Sequence, residues 1–96
     1  MELSRSDLVQ SAAGRDKGML FYVIDTDGVY VSLANGKERR VEKPKCKKVK
    51  HVRKLPRPDS SLTVKIRSGE PILNSELRRE LAVLSQTINV STKEGS

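Results

Sequence analysis

Two turn dipeptides eight residues apart, Asp27-Gly28 and Asn35-Gly36, constrain this chain more than any other feature. Glycine accepts positive φ without a steric penalty, and Asn-Gly between alternating segments is a strong hairpin signal. Between the two turns, Val29, Val31 and Leu33 alternate with Tyr30, Ser32 and Ala34, the period of a half-buried strand. Upstream, Met19–Asp25 is apolar on both alternating faces, with Leu20, Tyr22 and Ile24 on one and Met19, Phe21 and Val23 on the other, as in a central strand covered on both sides. Asp7–Ala13 is expected as a first strand, and Lys37–Glu42 as the polar partner that completes the Asn35-Gly36 hairpin at a sheet edge. Val49, Val52 and Leu55 are three apart, which fits a further strand or a 3₁₀ turn. Four or five short strands within about 55 residues point to a small β-barrel, whose closure protects its edges.

A different pattern follows the link Asp59-Ser60-Ser61. Leu62, Val64 and Ile66 alternate with Thr63, Lys65 and Arg67, predicting a strand over 62–67, and Ser68-Gly69-Glu70-Pro71 turns the chain. Asn74 or Ser75 suits a helix cap, and Glu76 lies in the first turn, where the dipole favours an acid. Leu77, Leu81, Leu84 and Ile88 then form an apolar stripe at spacings of 4, 3 and 4, so a helix is expected over 75–88, ahead of a frayed polar tail from Asn89 to Ser96. The stripe either covers the open side of the barrel or packs on the 62–67 strand, or else it is a docking face for a second copy of itself or another protein. The expected organisation is therefore a β unit at 1–57, a linker at 58–61 and a C-terminal extension at 62–96.

Charge is distributed as unevenly as structure. The chain of 96 residues carries a net +7, but Lys37–Arg57 alone holds eleven basic and two acidic residues, a net +9, which leaves −2 on the rest. Such a segment points to a polyanion, first of all nucleic acid. The longest apolar run, Met19–Ile24, is far too short to span a membrane, and the N-terminus has no apolar signal region. One Cys forms no internal disulfide, which fits a reducing cytoplasm.

Three segments carry a resemblance to a known family. Asp7–Gly18 followed by the strand from Met19 resembles the KOW motif: a strand, a loop ending in a required glycine (here Gly18), and a second strand. With Ala13–Gly18, the Asn35–Arg40 hairpin and Glu42–His51 in that order, the chain is similar to the KOW-domain RNA-binding proteins. The likeness is to a small bacterial group related to a large-subunit ribosomal protein of the archaeal and eukaryotic type. The resemblance covers about residues 5–55 and implies an SH3-like β-barrel and an RNA-binding, ribosome-associated role. Gly18 is expected where two strands pack too closely for a Cβ. Nothing after Leu55 belongs to the pattern, and the second glycine usual in the next strand is missing from Met19–Tyr22.

Candidate RNA-contacting residues are Arg15 and Lys17 in the glycine loop, Lys37, Arg39 and Arg40 after the hairpin, and Lys43, Lys45, Lys47, Lys48, Lys50 and His51 in an irregular basic strap that Pro44 keeps from strand pairing. Gly18, Gly28 and Gly36 are the structural turn residues. If about five of the cations neutralise phosphates, log affinity falls with log salt at a slope of roughly −3.5 to −4.5. Only Phe21, Tyr22 and Tyr30 are aromatic, and Phe21 or Tyr22 is expected in the core. This favours recognition of folded RNA by backbone and shape over stacking on single strands.

Other chemistries find little footing. Cys46 and His51 are two ligands where structural zinc needs four. Cys46, between lysines, is either a thiol open to oxidants or a silent surface group. Gly14–Gly18 lacks the Lys-Ser/Thr of a phosphate-binding P-loop, and in Asp25-Thr26-Asp27-Gly28 the glycine comes too early for a calcium loop. One His and no nucleophile–base set argue against an enzyme. The expectation is a mainly β, non-enzymatic RNA-binding protein without cofactor, metal, membrane partner or small-molecule substrate. The competing expectation is an adaptor of the translation or transcription machinery that contacts protein through the barrel and the C-terminal helix, the helix presenting Leu77, Leu81, Leu84 and Ile88.

Overall fold

One register row, Leu55–Leu8–Tyr22–Ala34, crosses four antiparallel strands and fixes which face of the sheet meets the helices. The computed structural model describes residues 2–95, with side chains through Thr87. Its strands are β1 (Leu8–Ser11), β2 (Leu20–Thr26), β3 (Tyr30–Ala34), β4 (Lys45–Lys48) and β5 (Val52–Leu55), in the order β4-β3-β2-β1-β5. Two helices follow, α1 (Ser61–Ser68) and α2 (Asn74–Gly95). The mainly β expectation holds as an antiparallel five-stranded sheet. Closure by strand pairing does not occur, because β4 and β5 are open edges.

Each face of the sheet has its own core. Leu8, Tyr22 and Ala34 pack under Leu62 and Ile66 of α1 and Leu77 and Leu81 of α2. On the other face Val9, Phe21, Val23, Val31, Leu33 and Val52 are buried in a cluster that, among the described residues, includes none from α1 or α2, flanked by Leu3, Met19 and Val49. The sheet therefore curls around this second cluster. A single 3₁₀ turn, Val49–His51, shows how tightly: the Val49 N–H donates to Val29 O at the start of β3, while His51 O accepts from the Ala12 N–H just past β1, both at 2.9 Å. Three residues thus bridge opposite ends of the sheet. The Val49–Leu55 segment is both alternatives in succession, a 3₁₀ turn and then a strand.

The expected strand at 62–67 is instead α1. Ser60 accepts from the Thr63 N–H at 3.2 Å, Thr63 Oγ1 accepts from the Ser60 N–H at 2.9 Å, and Gly69 ends the helix at φ +76°. Leu62 and Ile66, four apart, turn inward, while Val64 is half exposed. Apolar residues at i, i+2 and i+4 satisfy either period, and the capping box decides for helix. α2 begins at Asn74 and continues past residue 88, since no Gly or Pro interrupts it before Gly95. The segment expected as a polar tail is therefore helical through Gly95, and Ser96 lies outside the described residues.

The expected hairpin partner Lys37–Glu42 is a loop. Asn35 Oδ1 accepts from the Lys37 and Arg39 N–H groups at 3.0 and 2.9 Å, and Arg39 O accepts from Asn35 and Gly36 at 2.9 and 3.0 Å, which coils the chain before it can pair. Pairing resumes at β4, inside what the sequence suggested was an irregular strap. Gly18 also differs in its reason: a Cβ there would meet nothing within 4 Å, and its φ of +92° is what calls for glycine. Steric necessity sits at Gly36, where a Cβ would lie 2.2 Å from Asn74 O.

Candidate nucleic-acid interface

β4 is all basic except Cys46, so its strand period was hidden in the sequence, yet that period divides the lysines by role. Lys45 and Lys47 stand opposite Leu33 and Val31 and share the face of the helix-free core, while Cys46 and Lys48 face out. The stems of Lys45 and Lys47 cover the rim of that core and their ammonium groups converge on Asp16 in the β1–β2 loop. Lys47 Nζ donates to Asp16 Oδ1 and to Ala13 O, each at 2.7 Å, and Ser11 Oγ donates to the same carboxylate oxygen at 2.7 Å. Lys45 Nζ lies 3.0 Å from Asp16 Oδ2 as an ion pair without an aligned hydrogen bond. The Asp16 side chain is 10% exposed and that of Lys47 9%. Burial pushes the Asp16 carboxyl up, but Lys47, Ser11 and Lys45 together outweigh it and hold the group well below the usual carboxylate range.

Three basic segments border that β1–β2 loop. The 3₁₀ turn carrying Lys50 and His51 bonds to it through Ala12, β4 through Lys47, and the β3–β4 loop shares a groove of about 610 Å3 with it, lined by Gly18, Leu20, Lys37, Glu38, Arg78 and Ala82 among others. Arg15 and Lys17 sit exposed in the loop itself. Of the expected contact residues, Arg15, Lys17, Arg39, Arg40, Lys43, Lys48 and Lys50 are exposed and make no ion pair among the described residues. Lys37 has only Glu38 at 3.9 Å, and His51 is half-buried. Lys45 and Lys47 are committed to Asp16. Arg53, exposed on β5 opposite Gln10, adds a cation that the sequence reading did not select.

The β3–β4 loop is also fastened to α2. Asn74, one of the two expected caps, turns its side chain to the β3–β4 loop instead. Its Oδ1 accepts from the Val41 N–H at 2.8 Å and its Nδ2 donates to the Glu42 carboxylate at 2.9 and 3.0 Å. The first turn is closed instead by Glu76, whose carboxylate accepts from the Leu73 N–H at 3.0 Å. Arg78 Nη1 donates to Gly36 O at 2.8 Å. These bonds draw the Glu42 and Glu76 carboxyls below their usual range, through Asn74 first for Glu42 and through the Leu73 N–H first for Glu76.

The apolar stripe of α2 is mostly spent on the core. Leu77 and Leu81 are buried against Tyr22 and Leu8, which removes both from the expected docking face; Leu84 is half-buried and packs on the same cluster. The side chain of Ile88 lies outside the described residues. Phe21 and Tyr22 are fully buried, so Tyr30, 41% exposed beside Lys48, is the aromatic ring left at the surface. No helix is long and apolar enough to cross a membrane, and no group of three metal-ligating side chains occurs, among the described residues. No protein-family model matches the chain, and no curated protein matches it.

Proposed function

We propose that this is a non-enzymatic RNA-binding protein that grips structured RNA by its phosphates, with the ribosome as its site of action. The observation that carries the reading is a set of exposed cations that make no ion pair among the described residues: Arg15 and Lys17 on the β1–β2 loop, Arg39, Arg40 and Lys43 on the β3–β4 loop that shares a groove with it, and Lys48 and Lys50 leading into the 3₁₀ turn that bonds to it through Ala12. Cations without acidic partners attract a polyanion at no cost in broken ion pairs. A single exposed aromatic ring favours backbone and shape recognition over a row of stacked bases. We further propose that the sheet is an SH3-like barrel of the KOW type. The order β4-β3-β2-β1-β5, the helix-free core inside the curl and the 3₁₀ bridge between β4 and β5 support that assignment.

The test is a salt titration of binding to a structured ribosomal RNA fragment. About five phosphate contacts give a log–log slope of roughly −3.5 to −4.5. Lys48→Glu with Lys50→Glu lowers affinity and flattens the slope while the fold persists. A slope near zero, or no binding at physiological salt, overturns the proposal.

A further inference from the structure

The extension beyond Leu55 lies outside the RNA-binding pattern, yet its second helix holds the cationic β3–β4 loop at both ends, at Gly36 and at Val41-Glu42. Asn74 holds Val41 N–H and Glu42, Arg78 holds Gly36 O, and Gly36 packs against Asn74 so closely that only a glycine fits. The helix end doing this is itself anchored, because Leu77 and Leu81, one and two turns on, are buried in the core. Between the fastened residues Lys37, Arg39 and Arg40 are exposed, and Lys43 is exposed directly after the last of them. From this arrangement we infer that α2 is a working part of the RNA interface, with Asn74 and Arg78 as positioning residues that pre-order the loop so its cations meet the phosphates in register. The inference rests on the RNA-binding reading above and deepens it.

The physical reason is entropic. A loop released from α2 must be ordered when RNA binds, and fixing even one or two backbone residues lowers affinity by roughly tenfold. The number of phosphates neutralised does not change, so the salt slope stays where it was. That pair of readouts separates positioning from direct contact, where a lost cation reduces both. It also separates positioning from a purely structural role, which lowers the melting temperature and leaves the affinity of the folded protein alone.

The experiment compares wild type, Asn74→Ala, Asn74→Asp, and Asn74→Asp combined with Glu42→Gln, all as the full chain, for binding to one structured RNA across a salt series. Asn74→Asp sets a second carboxylate against Glu42, while the combined variant restores both hydrogen bonds at unchanged net charge. The expected result is about tenfold weaker binding for Asn74→Ala at an unaltered slope, a loss at least as large for Asn74→Asp, which adds a charge, faster amide exchange over Lys37–Lys43 in both, and recovery of affinity and exchange protection in the combined variant. Folded single variants that bind as tightly as wild type overturn the inference and leave the proposed function standing. Absence of salt-dependent binding by the wild type itself brings down the function and the inference together. The combined variant keeps the test decisive even if Asn74→Ala unfolds.

Discussion

Asp16→Ala tests the fold where the fold meets the basic surface. The substitution leaves the Lys47 ammonium, on a side chain 9% exposed, with the Ala13 carbonyl, and deprives Lys45 and Ser11 of their shared partner. Removing one member of a buried pair costs about 3–5 kcal/mol. Lys45 keeps 27% of its side chain in water and can turn away, which argues for the lower end, about 3 kcal/mol. For a domain of this size that is a fall in melting temperature of roughly 12–24 °C. The loss is expected in thermal melts followed by circular dichroism at pH 7. Because the folded-state carboxyl titrates below its ordinary value, its stabilisation is complete above about pH 4 and disappears progressively as the pH falls further. Wild type and variant therefore converge in acid. Adding Lys47→Met to Asp16→Ala removes the stranded charge and recovers most of the loss, since an apolar chain of similar length fits the rim of the core. A penalty under about 1 kcal/mol at pH 7, or one of equal size at pH 7 and pH 2.5, refutes the reasoning.

Three further outcomes follow from the geometry. Gly36→Ala destabilises by well over 1 kcal/mol, because the new methyl meets Asn74 O at a φ of +78°, whereas Gly18→Ala costs only about 1 kcal/mol for its left-handed backbone; paired urea titrations give the ranking. Tyr22→Phe removes the hydroxyl that donates to Glu80, a carboxylate also bonded by the capping hydroxyl of Ser60, and lowers stability by about 1.5–3 kcal/mol in the same assay. Ser60→Ala breaks the capping box and costs about 1 kcal/mol, seen as a lower denaturation midpoint with an unchanged m-value.

The legible parts of this chain were those where one signal acted alone. Alternation from Val29 to Ala34 and the doubly apolar Met19–Asp25 placed β3 and β2, and the 4-3-4 leucine spacing placed α2. Signals were lost where two readings shared one pattern. Leu62, Val64 and Ile66 suit strand or helix, and the deciding contact is a side-chain cap at Ser60. The four residues of β4 carry no apolar alternation, so a strand passed for a loose strap. Asp16, which ties Lys45 and Lys47 together, drew no attention in the sequence; its partners are 29 and 31 residues away, and no local pattern encodes that distance. Asn74 looked like a helix cap because caps and long-range clamps draw on the same residue type.

The 3₁₀ bridge at Val49–His51 also sets the order in which the chain can be completed. β1 lies between β2 and β5, so its second partner is not available until about residue 55 has been made, and Leu8 is covered only when α1 and α2 have followed. During synthesis the β2–β3 hairpin forms early from local contacts, but its outer face, with Tyr22 and Ala34, stays bare until the last third of the chain arrives. Chain closure over such a separation is slow compared with hairpin formation. The basic β3–β4 loop and β4 emerge before the helices that sheath that face, so the unfinished sheet carries its cations well ahead of its apolar cover.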